Sequence, residues 1–512
     1  MTPTALDPER TPVVVASGQS IERTEPVTPI NLMARACEAA FAHVPGLRDS
    51  IERLSVVNVM TRTGPAPATE LATRLGLGGS PACEATTIGG NTPQWLVSRA
   101  AGDIAGGSLS ATLITGAEAI RSSRARRAGG QPQYLGDIGL PPDPVVGDDL
   151  PGVGPAESAI GLLAPVHIYP LFESVVAARA GHDAAAHRQA IGRLFAPFTG
   201  VAAANPFAWF PEVLTGEAIA TPSPDNRIVS EPYTKRMTAF LGSDQGAALV
   251  VCSLAAARRA GVADRAVFLW SGAEAVDVRF PTARPDPGRS PAIAAAGRAL
   301  FAAASAAGGT GPIGIDDLDI LDLYSCFPSA VELAIEALGL APDEPRGLTA
   351  TGGLPYFGGP GNNYTTHGIA AVTDALRDSA GPGTRLGLAT GLGWFVTKHA
   401  LGLYGTAPPP LGFHHGDTRA DQAVIDGSAV ETALGVDVAT PATVVAATVV
   451  RDHAGAPTGA PLIARLPDGR HMALAPADDE VTVAVGERDV PGLVGSTIGV
   501  LPGAPRYRLA TG

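Results

Sequence analysis

GGNTPQWLVSRAAGDIAGGSLSATLITGAEA, residues 89–119, is the stretch whose reading decides the fold. A Gly-Gly-Asn turn opens a helix over 93–106, and two further glycines separate it from an apolar strand at 111–115 (ATLIT), which ends in Gly116-Ala117-Glu118. Working outward toward the N-terminus, 12–16 (PVVVA) reads as a strand, 31–41 (NLMARACEAAF) as an amphipathic helix and 54–60 as another strand. Strands alternating with helices of this length make a βαβαβ unit, so the chain is α/β. A second series follows Asp244. Residues 246–260 (GAALVVCSLAAARRA) read as entering a helix, 318–323 (LDILDL) as a strand, a helix starts near Asn363, and 385–390 (RLGLAT) form another strand. The turns match as well, because Gly358-Gly359-Pro360-Gly361-Asn362-Asn363 precedes the second helix as Gly89-Gly90-Asn91 precedes the first. Two copies of one unit facing each other place two helix N-termini, with unpaired N–H groups and positive dipole ends, at a shared centre. Such a centre suits a thioester oxyanion or a thiolate.

The rest of the chain bounds the function. With 512 residues, 45% of them hydrophobic and 17% charged, the chain can bury large cores and divides into several units. The 36 basic residues against 49 acidic ones give a net charge of −13, which repels phosphate backbones and argues against nucleic acid as a partner. No uncharged apolar run reaches the roughly 20 residues of a membrane span, the Ala-rich run at 292–307 being broken by Arg298. The opening MTPTALDPER has no apolar signal core, so the chain reads as cytoplasmic. Cys37, Cys83, Cys252 and Cys326 show no metal or disulfide spacing and read as free thiols. Lys235 and Lys398 are the only lysines and neither sits in a P-loop; HExxH, GxSxG and GxGxxG patterns are absent. Residues 120–233 are too long for a bare loop and read as a cap inserted over the site. After Ala407-Pro408-Pro409-Pro410, short strands at 442–450, 460–466, 471–474, 481–485 and 497–501 predict a small β-barrel of OB-like architecture. Its segment DGRHMALAPADDEV lacks the basic and aromatic interleaving of a strand-binding groove. The boundaries expected are 1–119 with 234–242 for the first half, 120–233 for the cap, 243–406 for the second half and 407–512 for the added domain.

Several ordered segments carry a family likeness: residues 89–119, SDQGAA at 243–248, YSCF at 324–327, GGLPYFGGPGNN at 352–363 and TGLGWFVTKH at 390–399. From Pro12 to about Tyr404 the chain resembles the thiolase superfamily, and most closely the actinobacterial thiolase-like proteins of type 1, similar to sterol-carrier-protein thiolases with an added C-terminal domain. The resemblance implies a duplicated five-layer αβαβα fold, acyltransferase ancestry of the acetyl-CoA acetyltransferase kind, a place in lipid metabolism, and a coenzyme A thioester as substrate or ligand with no other cofactor. Thiolases acylate a cysteine at a helix N-terminus and move an α-proton with a second residue, while an Asn or His and a GHP histidine hold the oxyanion. Here the nucleophile's position falls on Gly90 and the GHP histidine's on Gly359, while YSCF keeps the family's acid/base cysteine as Cys326.

The candidate catalytic residues are therefore Cys326, His367 and Asn363. Cys326 reads either as an acid/base thiol or as a small buried residue. His367, four residues after Asn363 on one helix, reads either as a base paired with Cys326 or as a helix histidine bonded to a carbonyl. Gly90, Asn91, Tyr324 and Asn362 are candidates for substrate binding, although asparagine after glycine is also what a turn demands. Cys83 and Cys252 read as packing, Cys83 standing seven residues before Gly90, too far to be the missing nucleophile without a bulge. Arg121, Arg124, Arg126 and Arg127 form the one dense basic cluster, suited to a phosphorylated ribose and pyrophosphate or else a solvated face. Phe207, Trp209 and Phe210, with His167-Ile168-Tyr169-Pro170, read as an acyl channel or as cap packing. Two functions stand: an acyl-CoA-handling enzyme using Cys326 and His367, in which ordinary thiolase turnover is lost, or a non-catalytic protein that binds acyl-CoA or a protein partner. A homodimer is open to either.

Overall fold

The computed structural model describes residues 6–131, 134, 136–309, 311–379 and 383–510, so the first residues of the N-terminal reading fall outside it. The first half runs β1 (Pro12–Ile21), α1 (Pro29–His43), β2 (Arg53–Val56), α2 (Pro67–Leu75), β3 (Ala82–Thr86), α3 (Thr92–Gly106) and β4 (Ala111–Ala119). The segment read as the cap follows with α4 (Ile120–Ala128), β5 (Val145–Val146), which returns to the core sheet beside β3, then α5 (Pro155–Ala159), α6 (Pro165–Arg179), α7 (Ala184–Ala204), α8 (Gly216–Ala220), β6 (Ile228–Ser230) and β7 (Tyr233–Thr234). The chain then returns to the core through β8 (Asp244–Ser253), α9 (Leu254–Arg259), β9 (Val267–Val276), α10 (Pro291–Gly308), β10 (Ile320–Asp322), α11 (Pro328–Leu338), α12 (Tyr364–Asp378), β11 (Leu386–Gly393) and β12 (Lys398–Gly405).

Strand order is β10-β11-β12-β9-β1-β8-β4-β2-β3-β5. Within the sheet the strands of the two halves pair where Val13 and Val14 meet Phe268 and Val267. Helices α3 and α12 pack against strands of both halves, α1 covers the first half and α10 the second, which gives five layers, αβαβα. Two expectations change. The segment read as a helix over 246–260 is the strand β8, with only Leu254–Arg259 helical, and Cys252 lies in a strand. All ten residues of β8 are buried, held between β1 and β4, so the polar alternation that betrays a strand is missing. By its pairing β8 belongs among the strands of the first half.

Beyond β12 come β13 (His414–His415), α13 (Arg419–Gly427), β14 (Thr440–Ala447), β15 (Val450–Arg451), β16 (Pro457–Gly459), β17 (Leu462–Arg465), β18 (His471–Pro476), α14 (Asp479–Gly486), β19 (Thr497–Val500) and β20 (Arg506–Leu509). Strands β14-β17-β18-β20-β19 close a barrel around Val444, Leu462, Met472, Leu474, Ile498 and Tyr507. The run 481–485, read as a strand, lies in α14, because Asp478 caps that helix by accepting from the Val481 N–H. The barrel is joined to the cap by a four-stranded sheet, β16-β15-β6-β7. Among the described residues no helix is long and apolar enough to cross a membrane.

Candidate functional site

The shared centre is built from two turns that hold each other. Asn362 accepts the Gly89 N–H at 3.0 Å through Oδ1, and its Nδ2 donates to the backbone oxygen and Oδ1 of Asn58, both at 3.1 Å. Asn363 donates to the Gly116 carbonyl at 2.7 Å and accepts from Thr366 at 2.6 Å. Thr365 donates to the Gly90 carbonyl at 2.6 Å. Both asparagines thus use their amides to fasten one turn to the other, the turn-holding role that asparagine after glycine also predicts. Asn91 lies at the start of α3, and its Oδ1 is buried without a partner. Lys398, which the sequence left without a role, donates to the Ile88 carbonyl at 2.6 Å and the Asp148 carbonyl at 3.1 Å, fixing the approach to the Gly89 turn. Burial pulls its ammonium pKa down.

Gly90 faces a filled space. A Cβ there would lie 2.5 Å from the Tyr324 hydroxyl oxygen and 2.5 Å from the Leu392 carbonyl oxygen. Tyr324, 8% exposed, is fixed by its N–H to the Thr390 hydroxyl at 2.8 Å and by edge contact with the Tyr364 ring. Gly359, expected from the resemblance to stand where the GHP histidine would, donates its N–H to the Phe240 carbonyl at 2.8 Å, and a Cβ would lie 3.0 Å from that same oxygen.

Cys326 sits between β10 and α11, 7% exposed, with its carbonyl accepting from Ala239 at 2.9 Å. Burial pushes its thiol up to about 12, offset only in part by the neighbouring Tyr169 hydroxyl. The Tyr169 hydroxyl spends its one proton on the Trp394 carbonyl at 2.8 Å, and its ring stacks on Phe327 at 4.3 Å. His367 does not complete a pair with this thiol. It is fully buried, its Nδ1 bonds Gln19 Oε1 of β1 at 2.7 Å, and its ring meets Phe357. Burial drives its pKa down to about 3, so it stays neutral. The expected Cys326–His367 couple is therefore replaced by Cys326–Tyr169 and His367–Gln19. No spacing signal could reveal either, since each joins segments far apart in the chain. Cys83 lies on β3 with its thiol donating to the Pro81 carbonyl.

The arginine cluster divides. Arg121 is committed to the buried Asp244 at 3.2 Å and to the Thr24 and Glu25 carbonyls, which corrects its reading as a phosphate ligand. Arg124 and Arg127 are exposed on α4, and Arg126 lines a shallow depression with Arg62 and Tyr134. Of the aromatic group, Phe210 is 40% exposed at the rim of a cavity of about 240 Å³ lined also by Lys235, Arg236, Thr238, Phe240 and Tyr356. This cavity adjoins the centre, because Ala239 and Phe240 are the residues bonded to Cys326 and Gly359. The Tyr356 hydroxyl is buried there without a partner. His167 lines a separate cavity against the barrel.

Over 99% of its length the chain is similar to the whole of a solved structure, that of a monomeric SCP2-thiolase-like protein type 1 from Mycobacterium smegmatis, with 30% sequence identity and a TM-score of 0.80. A second solved structure, described as an Ltp2-ChsH2(DUF35) aldolase, shares the fold at 18% identity and a TM-score of 0.55, over 77% of this chain and 98% of its own. No family model matches the chain, and no curated protein does.

Proposed function

The chain belongs to the SCP2-thiolase-like proteins of type 1, thiolase-fold proteins with an added C-terminal domain, and on that premise we propose that it binds an acyl-CoA thioester without running the ping-pong thiolase cycle. The observation that carries this reading is the Tyr324 hydroxyl over Gly90. Glycine cannot be acylated, and the volume a nucleophilic side chain needs is already taken. Two further facts support it. A thiol near 12 is protonated at neutral pH, and the one histidine on α12 is neutral and turned to Gln19, so neither activates the other.

The cavity beside the site supplies the binding chemistry. Phe210, Phe240 and Tyr356 offer an apolar wall for an acyl or pantetheine arm, and the unpartnered Tyr356 hydroxyl offers a hydrogen bond to an amide or thioester oxygen. Lys235 and Arg236 at its rim suit anionic groups, against Glu212 and Asp225 on the same rim. The relative's description as monomeric supports a monomer here. The aldolase activity named for the second structure is not carried over, since that likeness is one of fold.

Calorimetry with CoA and acetyl-CoA beside an acetoacetyl-CoA thiolysis assay tests the reading. The expected result is binding that Tyr356→Phe weakens, with no turnover. Turnover abolished by Cys326→Ala would instead establish an enzyme working through that thiol. Neither binding nor turnover would leave the barrel as the surface of a partner-binding protein.

A further inference from the structure

Away from that centre, the cap and α11 enclose a group of side chains that the proposed function does not use. Glu173 on α6, His187 on α7 and Glu332 on α11 bring one ligating atom each to within 4.8 Å of one another. His187 Nε2 lies 2.5 Å from Glu173 Oε1 and 3.9 Å from Glu332 Oε2. The other oxygen of Glu173 accepts from the Tyr233 hydroxyl, which also bonds Ser329 Oγ at 2.9 Å. Behind His187, its Nδ1 meets His182 Nδ1 at 3.3 Å.

Two features set this group apart from ordinary buried ion pairs. The first is charge. Glu173 is fully buried and Glu332 largely so, with no lysine or arginine paired to either among the described residues, and the adjacent imidazole is itself pulled toward neutrality by burial. Buried carboxylates are otherwise paired, or coordinate a metal. The second is an orphan: Glu332 Oε2 is inaccessible to solvent, has no donor within hydrogen-bond reach and points into the group, where its carboxyl faces that of Glu173. The rest of the Glu332 side chain is 18% exposed, which leaves an approach from solvent.

We infer that Glu173, His187 and Glu332 form a binding site for a divalent first-row transition metal of the zinc type. One imidazole and two carboxylates are a suitable set for such an ion, with the fourth position open to water. Ligands around a tetrahedral zinc stand about 3.3 Å apart, so occupancy opens the His187–Glu173 pair slightly and draws Glu332 Oε2 inward. The outer shell is already in place. A His187 that ligates through Nε2 carries its proton on Nδ1 and donates it to His182 Nδ1, and Tyr233 orients Glu173. The ion would tie α6 and α7 of the cap to α11, the helix that begins directly after Cys326 and Phe327.

Full-length protein stripped with a chelator and titrated with Co²⁺ tests this. The expected result is a ligand-field absorption band that saturates at about one equivalent and is displaced by Zn²⁺. Glu332→Gln, close in shape to a protonated glutamate, weakens Co²⁺ binding by about tenfold or more. Should that variant not fold, zinc-edge X-ray absorption on the native chain decides, one imidazole among oxygen ligands being the expected shell. The inference is overturned by the absence of the band, by a band unchanged in Glu332→Gln, or by a shell of several imidazoles from surface histidines. It is equally overturned if Glu332→Gln raises the melting temperature and no metal binds, the mark of two carboxyls sharing a proton.

Discussion

Gly90 and the Tyr324 hydroxyl share one space at the start of α3, and the two depend on each other. Gly90→Ala puts a methyl 2.5 Å from the Tyr324 oxygen and from the Leu392 carbonyl, and overpacking of this kind costs about 1–3 kcal/mol. Urea unfolding should show that loss, and Tyr324→Phe in the same chain should recover part of it by removing one of the two obstructing oxygens. Full recovery is not expected, because the Leu392 carbonyl stays. Cys326 and His367 teach the same lesson: the residue types suit proton transfer, while burial holds the thiol protonated and the imidazole neutral.

Between elements, the ends of strands and helices carry the polar groups that set the site. Glu118 at the end of β4 is fully buried and accepts from the Met60 and Thr61 N–H groups and from the Thr61 hydroxyl, tying the loop after β2 to β4. Burial outweighs these donors and raises its pKa from 4.5 to about 7. A carboxyl raised in the folded state adds stability that is complete below its unfolded pKa and disappears as pH climbs through the folded one. Denaturation midpoints should therefore fall between about pH 5 and about pH 8, and Glu118→Gln should remove that slope. A slope unchanged in the variant would assign the effect to other groups. The helix ends α3 and α12 were legible as a pair from their Gly-Asn turns. Their mutual fastening through Asn362, Asn363 and Thr365 was not, because a side-chain amide can cap its own helix or reach another with the same sequence.

The whole molecule is held together across the cap–barrel boundary by Glu231. Its carboxylate bonds Arg188 at 2.9 Å and Arg451 at 3.0 Å, its N–H donates to the Val449 carbonyl, and its carbonyl accepts from Thr448. His471 of the barrel reaches the Thr282 carbonyl of the core, and the Ala447 N–H reaches Ser174 of α6. Removing one member of a largely buried ion network leaves the others unpaired, so Glu231→Ala should cost about 3 kcal/mol. Calorimetry should show the native chain unfolding in one transition, with the barrel separating as an earlier one in the variant. A single unshifted transition would mean that the shared sheet alone couples the two parts.

Composition, the spacing of strands and helices, and the matched Gly-Asn turns determined the α/β duplication, the inserted cap and the C-terminal barrel, because these depend on local preference and on burial patterns written along the chain. They failed at β8, where burial on both faces erases alternation, and at 481–485, where an aspartate cap turns a valine-rich run into a helix. The partner of each polar side chain was decided only by tertiary structure. Tyr169 beside Cys326, Gln19 beside His367, Asp244 beside Arg121 and Glu332 beside His187 come from separate elements, and a contact between distant segments leaves no periodicity in the sequence. The chemistry of each group follows from that contact and from the water it excludes.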